Sequence, residues 1–268
     1  MVTVRPAAVA GAFYPGEAPA LAAEVVRCLR EARRPSAPVP PPKALIAPHA
    51  GFIYSGPVAG SAYARIEPLA GVTSRVVLLG PAHRVFVHGA AVPSVEAFET
   101  PLGRVPLDTQ ALARLRELPF VQTSDRAHAA EHSLEVQLPF LQAVLGDFRL
   151  VPVVVGDATP DEVASILELL WGGEETLVVV SSDLSHFLPY AAAAERDRAT
   201  AGAILRRESS IEPEEACGAA PVNGLLVVAR RRGLRVELAD LRNSGDTAGG
   251  RSQVVGYGAF LLEEAKAP

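Results

Sequence analysis

Cysteine is scarce in this sequence, whose 268 residues include only Cys28 and Cys217. Two cysteines in a chain of this length exclude a disulfide scaffold. No stretch approaches the roughly 18 to 20 apolar residues of a membrane span, and the opening segment MVTVRPAAVAGAFYPG has no pattern of a secretory signal. The sequence therefore predicts a cytoplasmic protein with no membrane partner.

Basic charge is limited as well. Lysine and arginine together number 25 against 30 acidic residues, giving a formal net charge of -5. The one short basic run, RRR at 230–232, follows an apolar stretch and is typical of the solvated end of a helix, near its negative pole. Because no dense basic stripe is present, nucleic acid is not an expected partner.

Hydrophobic residues make up 49% of the chain and fall into two alternating patterns. Short apolar runs predict strands at 43–48, 75–80, 148–156 and 176–182, with two more in the segments LRVELADLRN and SQVVGYGAFLLEE. Helical spacing predicts helices at 15–34, 55–66, 108–118, 132–145, 159–171, 191–207 and 220–232, the fourth with a proline inside it. Buried strands separated by helices indicate a single α/β domain over residues 1–268, with a largely parallel sheet.

Histidine follows three of the predicted strands. ALIAPHAG contains His49, VVLLGPAH contains His83 and VVVSSDLSH contains His186, so half of the six histidines lie where such folds form their sites. A single histidine at a strand end is more often a hydrogen-bonded capping residue than a ligand. Three on the same edge are better explained by a shared site, and imidazoles held by rigid turns suit iron, zinc or copper.

A metal site also needs a further ligand, which Asp183, Glu131, His132 or Cys217 could each supply. His132 is alternatively a residue that supports the site by hydrogen bonding, since its spacing to Glu135 places both on one helical face. His88 and His128 are expected in loops or on the surface.

Cys217 lies in EEACGAAPVNG, shortly before a predicted helix. A thiolate near a helix N-terminus has a lowered pKa, which favours metal ligation or nucleophilic attack. An inert buried thiol is the other interpretation, and for a lone cysteine it is the more common one. For Cys28, on the apolar face of the helix at 15–34, a core position is expected.

Several motifs occur in one order along nearly the whole chain: APHAGFIYSGPVAG, LLGPAH, FETPLGRVPLD, EHSLEVQLPFLQ, VPVVVGD, SSDLSH, CGAAPVNGLL and GYGAFLL. In these motifs the chain resembles the Memo family, whose members are related in fold to class III extradiol (LigB-type) dioxygenases. The resemblance implies an α/β sandwich with one pocket. It also implies that His49, His83 and Cys217 are the metal ligands.

By the same resemblance, Asp183 and His186 line the pocket, with His186 as the proton-transfer residue. Cys217 stands where the related dioxygenases have a carboxylate. Because thiolate is a softer ligand than carboxylate, copper and zinc compete with iron as the bound metal. The resemblance further implies an AMMECR-type protein and a radical SAM enzyme as partners.

Three functions follow as hypotheses. The first is a metal-dependent oxidoreductase, dioxygenase-like, which acts on a small phenolic molecule or a peptide. The second is a module that binds a peptide or partner protein in the same pocket without turnover. The third is a metal-free thiol hydrolase with Cys217 as nucleophile, His186 as base and Asp183 as the residue that orients it.

Overall fold

The structure, a computed structural model, describes residues 2–37 and 39–264. Its α-helices are α1 (Ala18–Arg30), α2 (Phe52–Tyr63), α3 (Thr109–Leu115), α4 (Asp125–Ala129), α5 (His132–Glu135), α6 (Leu138–Leu145), α7 (Pro160–Leu170), α8 (Tyr190–Leu205) and α9 (Ala219–Arg232). Its strands are β1 (Val4–Arg5), β2 (Ala44–Ala47), β3 (Arg75–Pro81), β4 (Ala90–Val92), β5 (Ala97–Thr100), β6 (Gly103–Pro106), β7 (Val121–Thr123), β8 (Arg149–Val155), β9 (Thr176–Ser181), β10 (His186–Leu188), β11 (Arg235–Asn243) and β12 (Val254–Glu263).

The large sheet has the strand order β10-β12-β2-β9-β3-β8-β4-β7, with β11 paired to β12. Its four central strands, β2, β9, β3 and β8, run parallel. The sheet is nevertheless mixed, since β12 lies antiparallel to β2 and β4 lies antiparallel to β8. A smaller sheet joins β1 to the β5–β6 hairpin. The predicted α/β sandwich is confirmed, and its sheet is parallel at the centre and again between β4 and β7 at one edge.

Helices cover the sheet in packed groups: α1 packs on α2 and α6, and α7 packs on α9. The central strands are buried along nearly their whole length, which is why they appear in the sequence as continuous apolar runs. Cys28 lies fully buried in this core, as predicted. None of the helices in the described part of the chain has the length and apolar character needed to span a bilayer.

The helix predicted at 132–145 is wrong as one element, because the structure divides it into α5 and α6. Pro139 lies in the first turn of α6. Proline has no backbone N–H and its ring collides with the carbonyl four residues earlier, which here belongs to Glu135, the last residue of α5. The break leaves His132 as the first residue of its own short helix.

Three neighbouring parallel strands end at the same edge of the sheet. The strand order β2-β9-β3 is continuous, and these strands end at Ala47, Ser181 and Pro81. The segments that leave them carry His49, Asp183 and His83 within two residues of each strand end. This edge is where parallel α/β sheets place their sites.

Candidate metal centre

Three histidines meet at this edge of the sheet. One nitrogen of each of His49, His83 and His132 lies within 4.8 Å of the others, a grouping able to hold a metal ion. The ring centroids are 5.2 Å apart for His49 and His83 and 4.6 Å apart for His83 and His132. His132 thus joins the centre through its ring, beyond the supporting role that its helical spacing suggested. His186 is not part of this group.

The protonation of the His49 ring follows from its neighbours. Its Nδ1 lies 2.8 Å from Oγ of Ser181, which donates its only proton to the carbonyl of Ser133 at 2.6 Å. Ser181 Oγ also accepts a hydrogen bond from Nε2 of Gln137 at 2.7 Å. The hydroxyl therefore acts toward His49 as an acceptor, so Nδ1 carries the proton and Nε2 keeps its lone pair.

Glu131 holds His83 at two points. Its Oε2 accepts the backbone N–H of His83 at 2.6 Å, and its Oε1 accepts Nδ1–H of the ring at 2.9 Å. Burial alone would raise the pKa of Glu131, but the hydrogen bonds from His83 and from the backbone of Ser133 lower it to about 2. The carboxylate is therefore ionised, and it leaves the Nε2 lone pair of His83 free.

His132 has a buried ring nitrogen without a hydrogen-bond partner among the described residues, Nδ1. This atom lies 3.4 Å from Oε1 of Glu131, whose hydrogen bond goes to His83. Burial, followed by the nearby charge of His83, lowers the pKa of His132 to about 4, so its ring is neutral at pH 7. A buried nitrogen of a neutral imidazole that has no hydrogen-bond partner is available to interact with a ligand.

The residues present fit a metal ion. Two imidazoles have tautomers fixed by an acceptor on Nδ1, the arrangement by which proteins orient histidine ligands. The third contributes a neutral ring with an unpartnered nitrogen. Imidazole donors of this kind suit iron, copper and zinc, and the donor set does not choose among them.

Cys217 lies beside this group. Its Sγ is 3.3 Å from Nε2 of His49 and accepts the backbone N–H of Asp183, also at 3.3 Å. Burial raises the pKa of the Cys217 thiol, which opposes the lowering that a nearby helix N-terminus would give. Gly218 permits the close approach to β9, since a Cβ there would lie 2.6 Å from Cβ of Ser182.

Asp183 and His186 are arranged differently from the expected pair. Oδ1 of Asp183 accepts the backbone N–H of His49 at 2.7 Å, while Nδ1 of His186 lies 2.8 Å from the carbonyl of Leu184. Because a carbonyl only accepts, Nδ1 of His186 carries a proton and Nε2 is the basic atom of the neutral ring. Burial raises the pKa of Asp183 to about 6. Through the hydrogen bond that it accepts from this N–H, Asp183 fixes the backbone of His49.

The two histidines expected at the surface differ from each other. The His88 side chain is 84% exposed, as predicted. His128 is buried, so that prediction is wrong: Nε2 donates to the carbonyl of Ala91 and the ring packs edge-on against Phe98. His128 lies outside the three-histidine group and serves the core.

Fold and site together define an α/β protein with a three-histidine centre at the carboxyl edge of its parallel strands. The family model described as "Memo: Memo-like protein" matches residues 5–261. The chain belongs to this family.

Relatives and a solved structure extend the comparison. A MEMO1 family protein of Aquifex aeolicus is 37% identical, covering 95% of this chain and 97% of its own length. One from Sulfolobus acidocaldarius is 34% identical over the same shares of the two chains. The crystal structure of an uncharacterized protein from Escherichia coli K12 matches with a TM-score of 0.52 at 17% identity, covering 80% of this chain and 98% of that one. That likeness concerns the fold alone.

Proposed function

We propose that this protein binds one metal ion between His49 and His83 and uses it in redox chemistry on a small phenolic molecule or a peptide. The observation that carries the proposal is the fixed protonation of both rings, each with Nδ1–H bound to an acceptor so that Nε2 carries the lone pair. Iron is the first expectation, with copper or zinc as competitors, and the metal would supply Lewis acidity and a site for O2.

Cys217 and His132 are both candidates for the third protein ligand. The sulfur lies 3.3 Å from Nε2 of His49, while His132 lies within the three-histidine group. Binding of a cation would favour the thiolate over the thiol, which offsets the effect of burial on its pKa. X-ray absorption separates the alternatives, because a metal–sulfur distance is about 2.3 Å and a metal–nitrogen distance about 2.0 to 2.1 Å for zinc.

His186 is the residue that we assign to proton transfer. Its Nε2 is the basic atom, and the carbonyl of Leu184 holds the ring in orientation. Asp183 keeps the role of a pocket residue, acting through the backbone of His49. A phenolic ligand that loses its proton on binding would find in His186 an acceptor at the edge of the site.

Metal analysis of anaerobically purified protein tests the proposal. We expect close to one equivalent of metal, lost in His49→Ala and His83→Ala and retained in His88→Ala, a matched histidine variant at an exposed position. Retention of metal in both site variants would refute the assignment. Oxygen uptake with a panel of catechols then tests turnover.

A binding module without turnover is the second candidate. Exposed apolar side chains follow each of the strand-end histidines: Ile53 is 59%, Phe86 82% and Phe187 68% exposed. Exposed apolar side chains such as these suit contact with a peptide or protein. Binding of a peptide by protein that consumes no oxygen with any catechol would favour this candidate over the first.

The thiol hydrolase has less support. Burial raises the pKa of Cys217, and its sulfur contacts His49 instead of the proposed base His186. Partnership with an AMMECR-type protein and a radical SAM enzyme remains a prediction, which co-purification from the native cell would test. The cytoplasmic setting is likewise a prediction, for cell fractionation.

A further inference from the structure

A cavity of about 260 Å³ adjoins the candidate metal centre. It is bounded by the end of β3, the end of β8, the start of α9 and the side chain of Phe86. Cys217 forms part of its wall, and the sulfur of that residue lies 3.3 Å from Nε2 of His49. Cys217 is thus shared between the cavity wall and the surroundings of the candidate metal centre.

The wall of this cavity is largely apolar. Most of its side chains are aliphatic, proline or aromatic: Pro81, Ala82, Phe86, Val87, Val155 and Pro213 are among them. The Phe86 ring is 82% exposed, so most of its surface is free to contact a ligand. Covering such a surface with an apolar group releases water and is favourable in proportion to the area covered.

Charge in the cavity is limited to one sign. Of the described residues that line it, Asp157 is the one with a carboxylate, and no lysine, arginine or histidine is among them. A ligand group with a negative charge would face the Asp157 carboxylate, while His88, whose Nδ1 lies 3.8 Å from Oδ2 of Asp157, is outside the cavity lining. A neutral group meets no such cost.

We propose that this cavity is a subsite for a neutral apolar group carried by the ligand of the metal centre. An apolar cavity of about 150 Å³ accommodates benzene, so about 260 Å³ accepts a phenyl ring or a branched alkyl group. The proposal rests on the proposed function for the oxygen-bearing end of the ligand. It adds that the other end is apolar, uncharged and of limited size.

Three catechols that differ in one substituent test for this subsite: catechol, 4-tert-butylcatechol and 3,4-dihydroxybenzoate. Zn(II)-loaded protein is titrated with each by calorimetry, because zinc binds without redox turnover. We expect 4-tert-butylcatechol to bind at least about tenfold more tightly than catechol, since several methyl groups become buried. The carboxylate compound is expected to bind more weakly than the tert-butyl compound.

Variants then locate the effect. Phe86→Ala should bring the tert-butyl preference down to about threefold or less, whereas Leu205→Ala, at an exposed apolar residue outside the cavity lining, should leave it unchanged. Ala220→Phe should block the cavity, with loss of the tert-butyl compound and retention of catechol. Asp157→Asn should improve binding of the carboxylate compound alone. Comparing each preference between proteins cancels the intrinsic differences among the three ligands.

A wild-type preference near one, or one that survives Phe86→Ala, overturns the subsite even if metal content is as proposed. Failure of the metal assignment is separable from this result. Saturation-transfer NMR on metal-free protein follows the tert-butyl protons directly, and a signal that depends on Phe86 would keep the subsite while the metal proposal fell. Absence of that signal in both metal-free and zinc-loaded protein overturns the subsite as well.

Discussion

A Cβ atom added to Gly80 would lie 2.7 Å from the side-chain oxygen of Ser133. Gly80 is in β3, directly before the segment that carries His83, and Ser133 follows His132 in α5. Ser133 Oγ also donates to the carbonyl of Pro81 at 3.0 Å, which ties α5 to the end of β3. The missing side chain at Gly80 thus sets the approach of His132 to His83.

Replacement of Gly80 by alanine should therefore push α5 away from β3. We expect a loss of about 1 to 3 kcal/mol in the free energy of unfolding from overpacking, together with about tenfold weaker metal binding, since His132 moves from the group. Chemical denaturation and competition with a chelator measure the two effects. Gly250→Ala is the matched control, because a Cβ there meets nothing within 4 Å. If the metal affinity of Gly80→Ala were unchanged, His132 would not contribute to metal binding.

Ser181→Ala should weaken metal binding even though Ser181 is not itself a proposed metal ligand. The hydroxyl is the acceptor that keeps the proton on Nδ1 of His49, and its loss permits the tautomer that protonates Nε2. Loss of such a hydrogen bond to a ligand typically costs about 10- to 100-fold in affinity. Ser165→Ala, on the exposed side of α7, is the control. Equal metal affinity in the two variants would show that Ser181 does not select the tautomer.

The sequence was sufficient to predict the part of the site that depends on local pattern. Continuous apolar runs mark β2, β3 and β9, and parallel strands in neighbouring positions must bring their carboxyl ends together. His49 and His83 could therefore be assigned to one edge of the sheet from the sequence alone. The motifs added the family, which the comparisons confirm.

The part of the site that could not be predicted from the sequence depends on contacts between distant segments. His132 reaches the centre because Gly80 admits α5 and the Glu131 carboxylate joins His83 to the start of that helix. No periodicity in residues 125–135 signals these contacts. The prediction for His128 was wrong for the same reason, because its ring packs against Phe98, which lies 30 positions earlier in the chain. A proline after a histidine-containing helical segment was the available signal for a break.

Glu135 should matter for folding more than for metal binding. It is fully buried, and its carboxylate accepts hydrogen bonds from Arg5 at 2.6 Å, from Tyr14 at 2.5 Å and from the backbone of Ala8 and Val9. Glu135→Gln leaves the buried Arg5 without its counter-charge, so we expect about 3 to 5 kcal/mol of destabilisation in chemical denaturation.

The matched control is Glu24→Gln, which breaks the half-exposed pair with Arg27 and should cost less than about 1 kcal/mol. A similar small cost in Glu135→Gln would contradict the expected role of the buried pair. Metal content of the refolded Glu135→Gln protein should remain that of the wild type, since Glu135 makes its contacts with the N-terminal segment.

His128 should make the metal-free protein less stable in acid. Burial, as the largest cause, lowers the pKa of His128 to about 4, whereas the unfolded chain has the ordinary histidine value of about 6.5. Between these values the unfolded state binds the additional proton, so stability is complete above about pH 6.5 and falls as the pH is lowered toward 4. The expected loss is up to about 3 kcal/mol, with no further change from this residue below pH 4. Chemical denaturation from pH 4 to 8 measures it. His128→Gln retains a donor for the Ala91 carbonyl and cannot titrate; its stability should therefore fall less steeply over this range, and parallel curves for the two proteins would contradict the prediction.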